Sequence, residues 1–432
     1  MNIVVLGLWH LGTVTAACCA RHFTVTGLDF DPEVVAKLQQ GRAPLYEPGL
    51  DDALQAGLAA KRLRFTTDHR AAVAAADVLW LCYDTPVNDQ DDSDVGFVLE
   101  RLRRVLGALP AGALVLISSQ LPVGTCRALE DEFPQAHFAC SPENLRLGRA
   151  LDAFEKADRV VVGLRTPAKR AVLEELFKPF TRQLLLMRTE SAEMVKHALN
   201  SFLAASIAYI NEVARLCEAV GADAAEVAAG LKSDPRIGPR AYLGPGAAFA
   251  GGTLARDVVT LTQVGARRME PLVLIPAIKE SNDQHRGWAL QKLRSRLGDL
   301  RGRSIAVLGL VYTPNTDTLR RSAAVELCRE LVAAGARVRS FDPAVSNAAL
   351  HGVEHAAQVA GAVAGAEAVV VCTEWPQFRE VNWRELVRTM RAPALVVDAN
   401  RFLEKQLVDL PEVQHLSVGR DPAPAPAACE QE

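Results

Sequence analysis

Along the first third of the chain, apolar residues come in short runs separated by amphipathic stretches. The runs occupy residues 3–6, 23–28, 78–82, 114–118, 136–139 and 160–163. Short apolar runs bounded by turn residues predict strands buried on both faces, and their alternation with helical stretches predicts a parallel sheet covered by helices. Near Ser191 the period changes. Met194, Ala198, Phe202, Ala205, Tyr209, Val213 and Leu216 recur at helical spacing, and no Pro or Gly interrupts residues 192–219, so one long helix is expected. Further helical sequence follows through 223–231 and 258–291. A second α/β stretch opens at Ser304-Ile305-Ala306-Val307-Leu308-Gly309, with more strands expected at 338–341, 368–372 and 394–397. The expected class is α/β, with two parallel-sheet units around a helical middle.

The composition narrows the range of partners. In 432 residues, 49% hydrophobic and 23% charged residues give the balance of a globular protein and exclude a fibrous or disordered chain. Lys+Arg 48 against Asp+Glu 51 leaves a net charge of -3, so neither nucleic acid nor an anionic membrane is an expected partner. Small charged metabolites remain open. Met1 and Asn2 run straight into Ile3-Val4-Val5-Leu6, an apolar run ended by Gly7 and too short for a signal peptide. No stretch approaches the roughly 20 apolar residues that a membrane span needs. Nine scattered Cys with no CxxC read as reduced cytoplasmic thiols.

The first strand leads into Gly7-Leu8-Trp9-His10-Leu11-Gly12, a helix is expected from about Thr13, and Asp29 closes the second strand. Strand, glycine turn, helix and then an acid some 20 residues on form the dinucleotide fingerprint: the pyrophosphate rests on the helix N-terminus and the acid binds ribose hydroxyls. Asp29 favours NAD over NADP. The middle glycine of the fingerprint is Trp9 here, and an indole at that position is expected to crowd or shift the pyrophosphate. The second turn, Gly309-Leu310-Val311-Tyr312, reads as structural.

Many short strings, in one order and nearly end to end, resemble the UDP-glucose/GDP-mannose (nucleotide-sugar) 6-dehydrogenases. They include Tyr46-Glu47-Pro48-Gly49-Leu50, Thr85-Pro86, Pro122-Val123-Gly124-Thr125, Pro142-Glu143, Glu193-Met194-Val195-Lys196, Asn200, Asn211-Glu212, Asp234-Pro235-Arg236-Ile237-Gly238, Asp257, Asp342-Pro343 and Thr373-Glu374-Trp375. The resemblance implies two Rossmann-like domains joined by a long central helix, with an NAD-binding domain at 1–190, a helical dimerisation domain at 191–295 and a nucleotide-sugar-binding α/β domain at 296–419; the Pro-rich residues 420–432 can form neither ladder nor helix and are expected to be a disordered tail. It further implies NAD as cofactor, a UDP- or GDP-linked sugar as substrate, a homodimer paired through the central helix, and a polysaccharide precursor as product.

Members of that family oxidise a sugar C6 hydroxymethyl twice through a cysteine adduct. Such chemistry needs a nucleophile, a base, oxyanion donors and a carboxylate to direct water. Carried onto this chain, Lys196 is the proton carrier or oxyanion partner and Asn200, one turn away, an oxyanion or water-holding donor. Asp257 polarises water or lysine, Glu143 positions lysine and sugar, and Thr253 stands at the nucleophile position. Gly7, His10, Leu11, Gly12, Asp29, Thr85, Gln120, Arg256 and Arg320 are the expected cofactor contacts. Leu145, Arg146, Leu147, Tyr242, Leu243, Gly246 and Gly251 are the expected substrate contacts.

The departures fall on the reactive machinery. Relatives have Gly-Gly-Ser-Cys-Phe-Pro-Lys-Asp where this chain has Gly251-Gly252-Thr253-Leu254-Ala255-Arg256-Asp257 after Ala250. A threonine hydroxyl has a far higher pKa than a thiol and leaves poorly from an acyl adduct, so thioester chemistry is not expected. Leu147 replaces an acid, Gln120 a threonine and Thr313 a lysine, and Asp398-Ala399-Asn400-Arg401 stands where relatives have Asp-Gly-Arg-Asn. Cys140 is the one other thiol expected near the site, and its plain reading is a packing residue. Three activities stay open: full oxidation through a hydrated aldehyde, oxidation that stops at the 6-aldehyde or serves a transient step, and a catalytically silent binder of NAD and nucleotide sugar. His351-Gly352-Val353-Glu354-His355 fits an HxxEH zinc pattern but reads as a solvated loop, so no metal is expected.

Overall fold

The computed structural model describes residues 1–88, 92–143, 145, 147–250, 253–346 and 349–420. Arg146, Gly251 and all of the expected tail after Arg420 lie outside the described residues. The chain divides into two compact units, Met1–Leu199 and Asn200–Glu432.

The first unit is built on an eight-stranded sheet of order β3-β2-β1-β4-β5-β6-β7-β8. Its strands are β1 (Asn2–Leu6), β2 (Thr24–Leu28), β3 (Leu63–Thr66), β4 (Val78–Leu81), β5 (Leu114–Ile117), β6 (His137–Cys140), β7 (Val160–Leu164) and β8 (Leu184–Met187). Period-2 side-chain alternation divides each run between two cores. Ile3 and Val5 pack with Val78 and Trp80 on one face, while Val4 and Leu6 pack with Leu79 and Leu81 on the other. Continuous apolar runs are what a sheet covered on both faces requires. One pair departs from the expected all-parallel sheet: β6 and β7 run antiparallel.

A helix of 32 residues, Thr189–Val220, carries the boundary between the units. The helical sequence at 258–291 is broken into Thr253–Arg268, Leu274–Arg286 and Trp288–Leu297. Met269, with a left-handed φ of 56°, and Pro271 end the first of these, since neither conformation continues a helix.

The second unit holds a six-stranded parallel sheet of order β11-β10-β9-β12-β13-β14. These are β9 (Ser304–Leu308), β10 (Arg337–Phe341), β11 (Val353–His355), β12 (Ala368–Val371), β13 (Ala394–Asp398) and β14 (Val413–Leu416). Ile305 and Val307 face one core, Ala306 and Leu308 the other. The HxxEH segment is a turn followed by edge strand β11, not the helix a zinc site of that pattern needs, and His355 Nδ1 lies 3.2 Å from Ser340 Oγ. Among the described residues, no helix is long and apolar enough to cross a membrane.

Candidate functional site

In the first unit the strand order reverses direction between β1 and β4, and a crevice outside the carboxyl ends of such strands is where α/β sheets bind ligands. Gly7 ends β1 with φ +95°, and a Cβ there would stand 2.7 Å from the Tyr83 nitrogen, so only glycine fits. Gly12 lies in the fully buried helix His10–Cys19, and a Cβ on it would meet the Gly7 carbonyl oxygen at 1.7 Å. That contact brings helix and strand together and aims the helix's first N–H groups outward, where a phosphate gains their partial positive charge. Trp9 occupies the N-cap with φ -82°, a conformation that needs no glycine, and its side chain is 44% exposed.

Asp29, buried at the end of β2, accepts from the Leu8 nitrogen (2.7 Å) with Oδ2 and from the Tyr83 hydroxyl (3.4 Å) with Oδ1. Burial, followed by the Asp29 charge, pushes the Tyr83 phenol up, so it remains a donor. Leu11 and Thr85 are buried, and the Thr85 hydroxyl donates to the Gln120 carbonyl at 2.7 Å. These residues make a cradle that fits a dinucleotide: close backbone approach at Gly7 and Gly12, a helix N-terminus, and an acid at the ribose position.

Glu143 and Lys196 meet in the same unit, with Lys196 Nζ 3.5 Å from Glu143 Oε1. Glu143 Oε2 also accepts from the Leu145 nitrogen at 2.7 Å, which holds the carboxylate toward the lysine. A cavity of about 20 Å³, lined by Ser119, Gln120, Cys140, Glu143, Glu193, Lys196 and His197, adjoins the pair and has room for about one water. Cys140 thus lines the same cavity as Glu143 and Lys196 and is itself buried in the core of the sheet. Neighbouring Glu193 accepts from the Gly124 and Cys126 nitrogens at 2.6 and 2.9 Å, and His197 Nε2 lies 3.1 Å from the Leu121 carbonyl. Leu147 is half-buried.

In the second unit Asn200 Nδ2 donates to Asp257 Oδ2, both residues being buried. Thr253 opens the helix Thr253–Arg268 and is exposed, one turn before Asp257 on that helix, while Arg256 is half-buried. The loop after Tyr242 is held from several sides. Gly246 N donates to Asn211 Oδ1 (3.0 Å), Ala247 N to Asn400 Oδ1 (2.7 Å) and Phe249 N to Asn282 Oδ1 (2.9 Å). His285 Nε2 lies 2.8 Å from the Gly246 carbonyl and Nδ1 3.2 Å from an Arg215 nitrogen. Burial lowers the His285 pKa, which favours the neutral ring with its proton on Nε2. A Cβ on Gly246 would stand 2.1 Å from Asn400 Oδ1. Leu243 is buried against Ile210 and Ala228, whereas Tyr242 and Arg320 are exposed.

A cavity of about 710 Å³ opens beside this loop, walled by Ala247–Phe249 residues, the ends of β12 and β13, Arg286, Glu326 and Asn400. Arg401 is committed elsewhere, to both oxygens of Asp223 at 2.6 and 2.9 Å. Burial pushes Cys328 up to about 12 and raises Cys18, Cys19, Cys82 and Cys372, while a hydrogen bond to Cys140 and burial raise Cys126, so none of these six is an activated thiolate.

Three domain models of one family cover most of the chain. The UDP-glucose/GDP-mannose dehydrogenase NAD binding domain matches residues 1–181, its central domain 190–284 and its UDP binding domain 306–405. The chain belongs to the UDP-glucose/GDP-mannose dehydrogenase family. It is similar to the UDP-glucose 6-dehydrogenase of Rhizobium meliloti, with 34% identity covering 97% of this chain and 100% of the relative. UDP-glucose 6-dehydrogenase TuaD of Bacillus subtilis is 32% identical, covering 97% of this chain and 93% of the relative. Among solved structures, the UDP-glucose dehydrogenase of Pyrobaculum islandicum superposes with a TM-score of 0.88 at 33% identity, over 97% of this chain and 98% of that one. As a member of this family, the chain is an NAD-dependent oxidoreductase of nucleotide-linked sugars, and the cradle at Gly7, Gly12 and Asp29 lies within the matched NAD binding domain.

Several residues that shape these two regions escape the sequence reading. Glu47 sits in a quoted string without an assigned part, and its buried contact with His10 is visible only in three dimensions. Tyr83, Asn282 and His285 carry no motif signal and Glu193 sits in a quoted string without an assigned part; what they touch, the Asp29 carboxylate for Tyr83 and main-chain groups for the others, is far away in sequence.

Proposed function

We propose that the chain oxidises the C6 hydroxymethyl of a UDP-linked hexose, UDP-glucose first, through a hydrated aldehyde to the 6-carboxylate. The observation that carries this reading is the Lys196–Glu143 pair, a buried cation and a half-buried carboxylate 3.5 Å apart in the unit that bears the dinucleotide cradle. NAD, when bound, supplies the hydride acceptor. Lys196 carries the hydroxyl proton or faces the developing oxyanion, and Glu143 holds the lysine in place. Asn200, four residues after Lys196 on the long helix, takes the donor role that the resemblance implies, toward an oxyanion or water, with Asp257 orienting it and directing water. Thr253, Gln120, Thr85, Arg256, Arg320, Leu145, Leu147, Tyr242, Leu243 and Gly246 keep the contact roles that the resemblance implies. The cavity beside Asn400 suits the nucleoside: about 710 Å³ is ample for a base and ribose, and its charges are mostly paired.

The names of the similar proteins support uridine over guanosine and glucose as the first sugar to try. Thr253 favours a second reading, release of the 6-aldehyde after one oxidation. Incubation with NAD and a panel of UDP- and GDP-sugars, followed by nicotinamide absorbance and product mass, tests both. Two NADH per carboxylate supports the first, one NADH per aldehyde the second, and no reduction with any sugar overturns both.

We further propose a homodimer in a reducing cytoplasm, the latter supported by eight free cysteines among the described residues. Phe202, Tyr209 and Leu216, seven residues apart on the long helix, are 69%, 54% and 67% exposed, and such an apolar stripe fits a second copy. The domain boundaries of the sequence reading are retained on the same footing.

A further inference from the structure

Glu47 is an almost fully buried carboxylate that ties together segments remote in sequence. Its Oε2 meets His10 Nε2 at 2.9 Å and accepts from the Gly148 nitrogen at 2.9 Å, while Oε1 accepts from the Ala150 nitrogen at 2.8 Å. His10 is the first residue of the helix on which the dinucleotide cradle is built. Gly148 and Ala150 lie at the start of the helix Ala150–Glu155, whose N-cap residue Arg149 makes no side-chain cap of its own. Glu47 thus performs the capping from a distance. Glu143, a few residues upstream of Gly148 in sequence, is paired with Lys196.

The carboxylate is itself held in place. Gly49, with φ +76°, turns the chain at the start of the helix Leu50–Ala59, and the Leu50 nitrogen donates to the Glu47 carbonyl at 3.1 Å. Burial raises the Glu47 pKa, but the bonds from His10, Ala150 and Gly148 outweigh it and keep the group charged. Charge-assisted bonds in a buried setting are strong and directional. Because Glu47 accepts, His10 must present its Nε2 proton, which fixes the ring. The ring therefore contacts Glu47, and what His10 offers a phosphate is its main chain.

We propose that Glu47 is a positioning residue that couples the cofactor turn, through His10, to the Gly148 and Ala150 amides, which follow Glu143 by a few residues in sequence. NAD seated on the turn then steadies these amides and, through them, the chain leading to the partner of Lys196. The inference rests on NAD binding and not on the identity of the sugar.

The test is hydrogen–deuterium exchange of the full chain with and without NAD, in wild type and Glu47→Gln. A glutamine has one acceptor oxygen, so either the His10 and Gly148 bonds or the Ala150 bond is lost with the side-chain volume kept. In wild type, NAD is expected to slow exchange in the peptide carrying Gly148 and Ala150 by about fivefold or more. In Glu47→Gln that slowing falls below about twofold, while NAD still protects the peptide carrying residues 7–12. Should Glu47→Gln not fold, His10→Phe breaks the same link from the other side and is expected to lose the same response. Kinetics add a second reading: kcat falls about tenfold in Glu47→Gln with the NAD KM changed by less than about threefold. Equal slowing in wild type and variants, or none in wild type, overturns the proposal. A protein that shows the coupled protection but reduces NAD with no sugar keeps this inference and loses the proposed function.

Discussion

Lys196 Nζ stands 3.5 Å from Glu143 Oε1, and the same carboxylate is braced by the Leu145 nitrogen at 2.7 Å. A lysine so held is confined to a small region of space, which is what proton transfer to a fixed hydroxyl demands. Lys196→Ala is expected to lower kcat by about 10²- to 10⁴-fold. Glu143→Gln keeps the Leu145 bond but removes the charge, and a loss of about tenfold is expected. The double variant should lose little more than Lys196→Ala alone, because the glutamate acts through the lysine. Steady-state kinetics of the four proteins checks this; additive losses would assign Glu143 an independent part.

Thr253 is exposed at the first residue of its helix, where a thiol would have its pKa lowered but a hydroxyl would not ionise. If Thr253 is not a nucleophile, Thr253→Ala should retain the first hydride transfer within about threefold. Thr253→Cys should raise the fraction of 6-carboxylate, read by product mass after a fixed turnover. Cys140→Ala should leave the rate within about threefold as well, since Cys140 is buried at the end of β6 and packs in the core of the sheet. A large loss in Cys140→Ala would restore a thiol mechanism.

The buried strands were legible because each is a short apolar run covered on both faces. The four strands that the runs do not reveal, β3, β8, β11 and β14, are all sheet edges. Leu63-Arg64-Phe65-Thr66 shows why: only every second residue of β3 is buried, and four residues are too few for alternation to stand out. Glycines were legible in kind, and Gly7 and Gly12 occupy positions that no other residue fits. Main-chain partners were not legible. Nothing in the spacing of Glu47 or His285 marks the Gly148 or Gly246 backbone as a partner, since such bonds depend on the path of the chain rather than on side-chain pattern.

Trp9 and Gly12 separate two effects at the cofactor turn. Gly12→Ala forces a Cβ to within 1.7 Å of the Gly7 carbonyl, so the helix must shift and NAD affinity is expected to fall at least about 100-fold. Trp9 has φ -82°, so Trp9→Gly relieves no backbone strain and tests only the bulk of the indole. If the indole crowds the pyrophosphate, Trp9→Gly tightens NAD by about tenfold, or ~1.4 kcal/mol, by calorimetry. Unchanged affinity would mean that the indole turns away from the ligand.

The exposed stripe on the long helix gives a direct test of assembly. Phe202 and Tyr209 are 69% and 54% exposed, so replacing either with glutamate costs the subunit little packing. Phe202→Glu with Tyr209→Glu should halve the mass seen by light scattering at micromolar concentration while Tm by circular dichroism changes by less than about 5 °C. An unchanged mass would remove this face from the interface.

His285 makes the substrate loop sensitive to acid. Its Nε2 proton serves the Gly246 carbonyl and its Nδ1 faces an Arg215 nitrogen, so a second proton would bring like charges together in a buried place. Burial, with Arg215 adding to it, holds the pKa below the ordinary 6.5. The unfolded chain then binds a proton more readily than the folded one, and stability falls as pH drops from about 6.5 through the folded value. Above that window the contribution is fully present. His285→Gln keeps a donor for Gly246 and removes the titration. The Tm loss between pH 7.5 and pH 5 should therefore be smaller in His285→Gln than in wild type, as followed by calorimetry. The wild-type KM for the nucleotide sugar should rise over the same interval, since the Gly246 carbonyl anchors the loop beside the cavity. Parallel Tm curves for the two proteins would show that the ring stays neutral throughout, or that it titrates equally in both states.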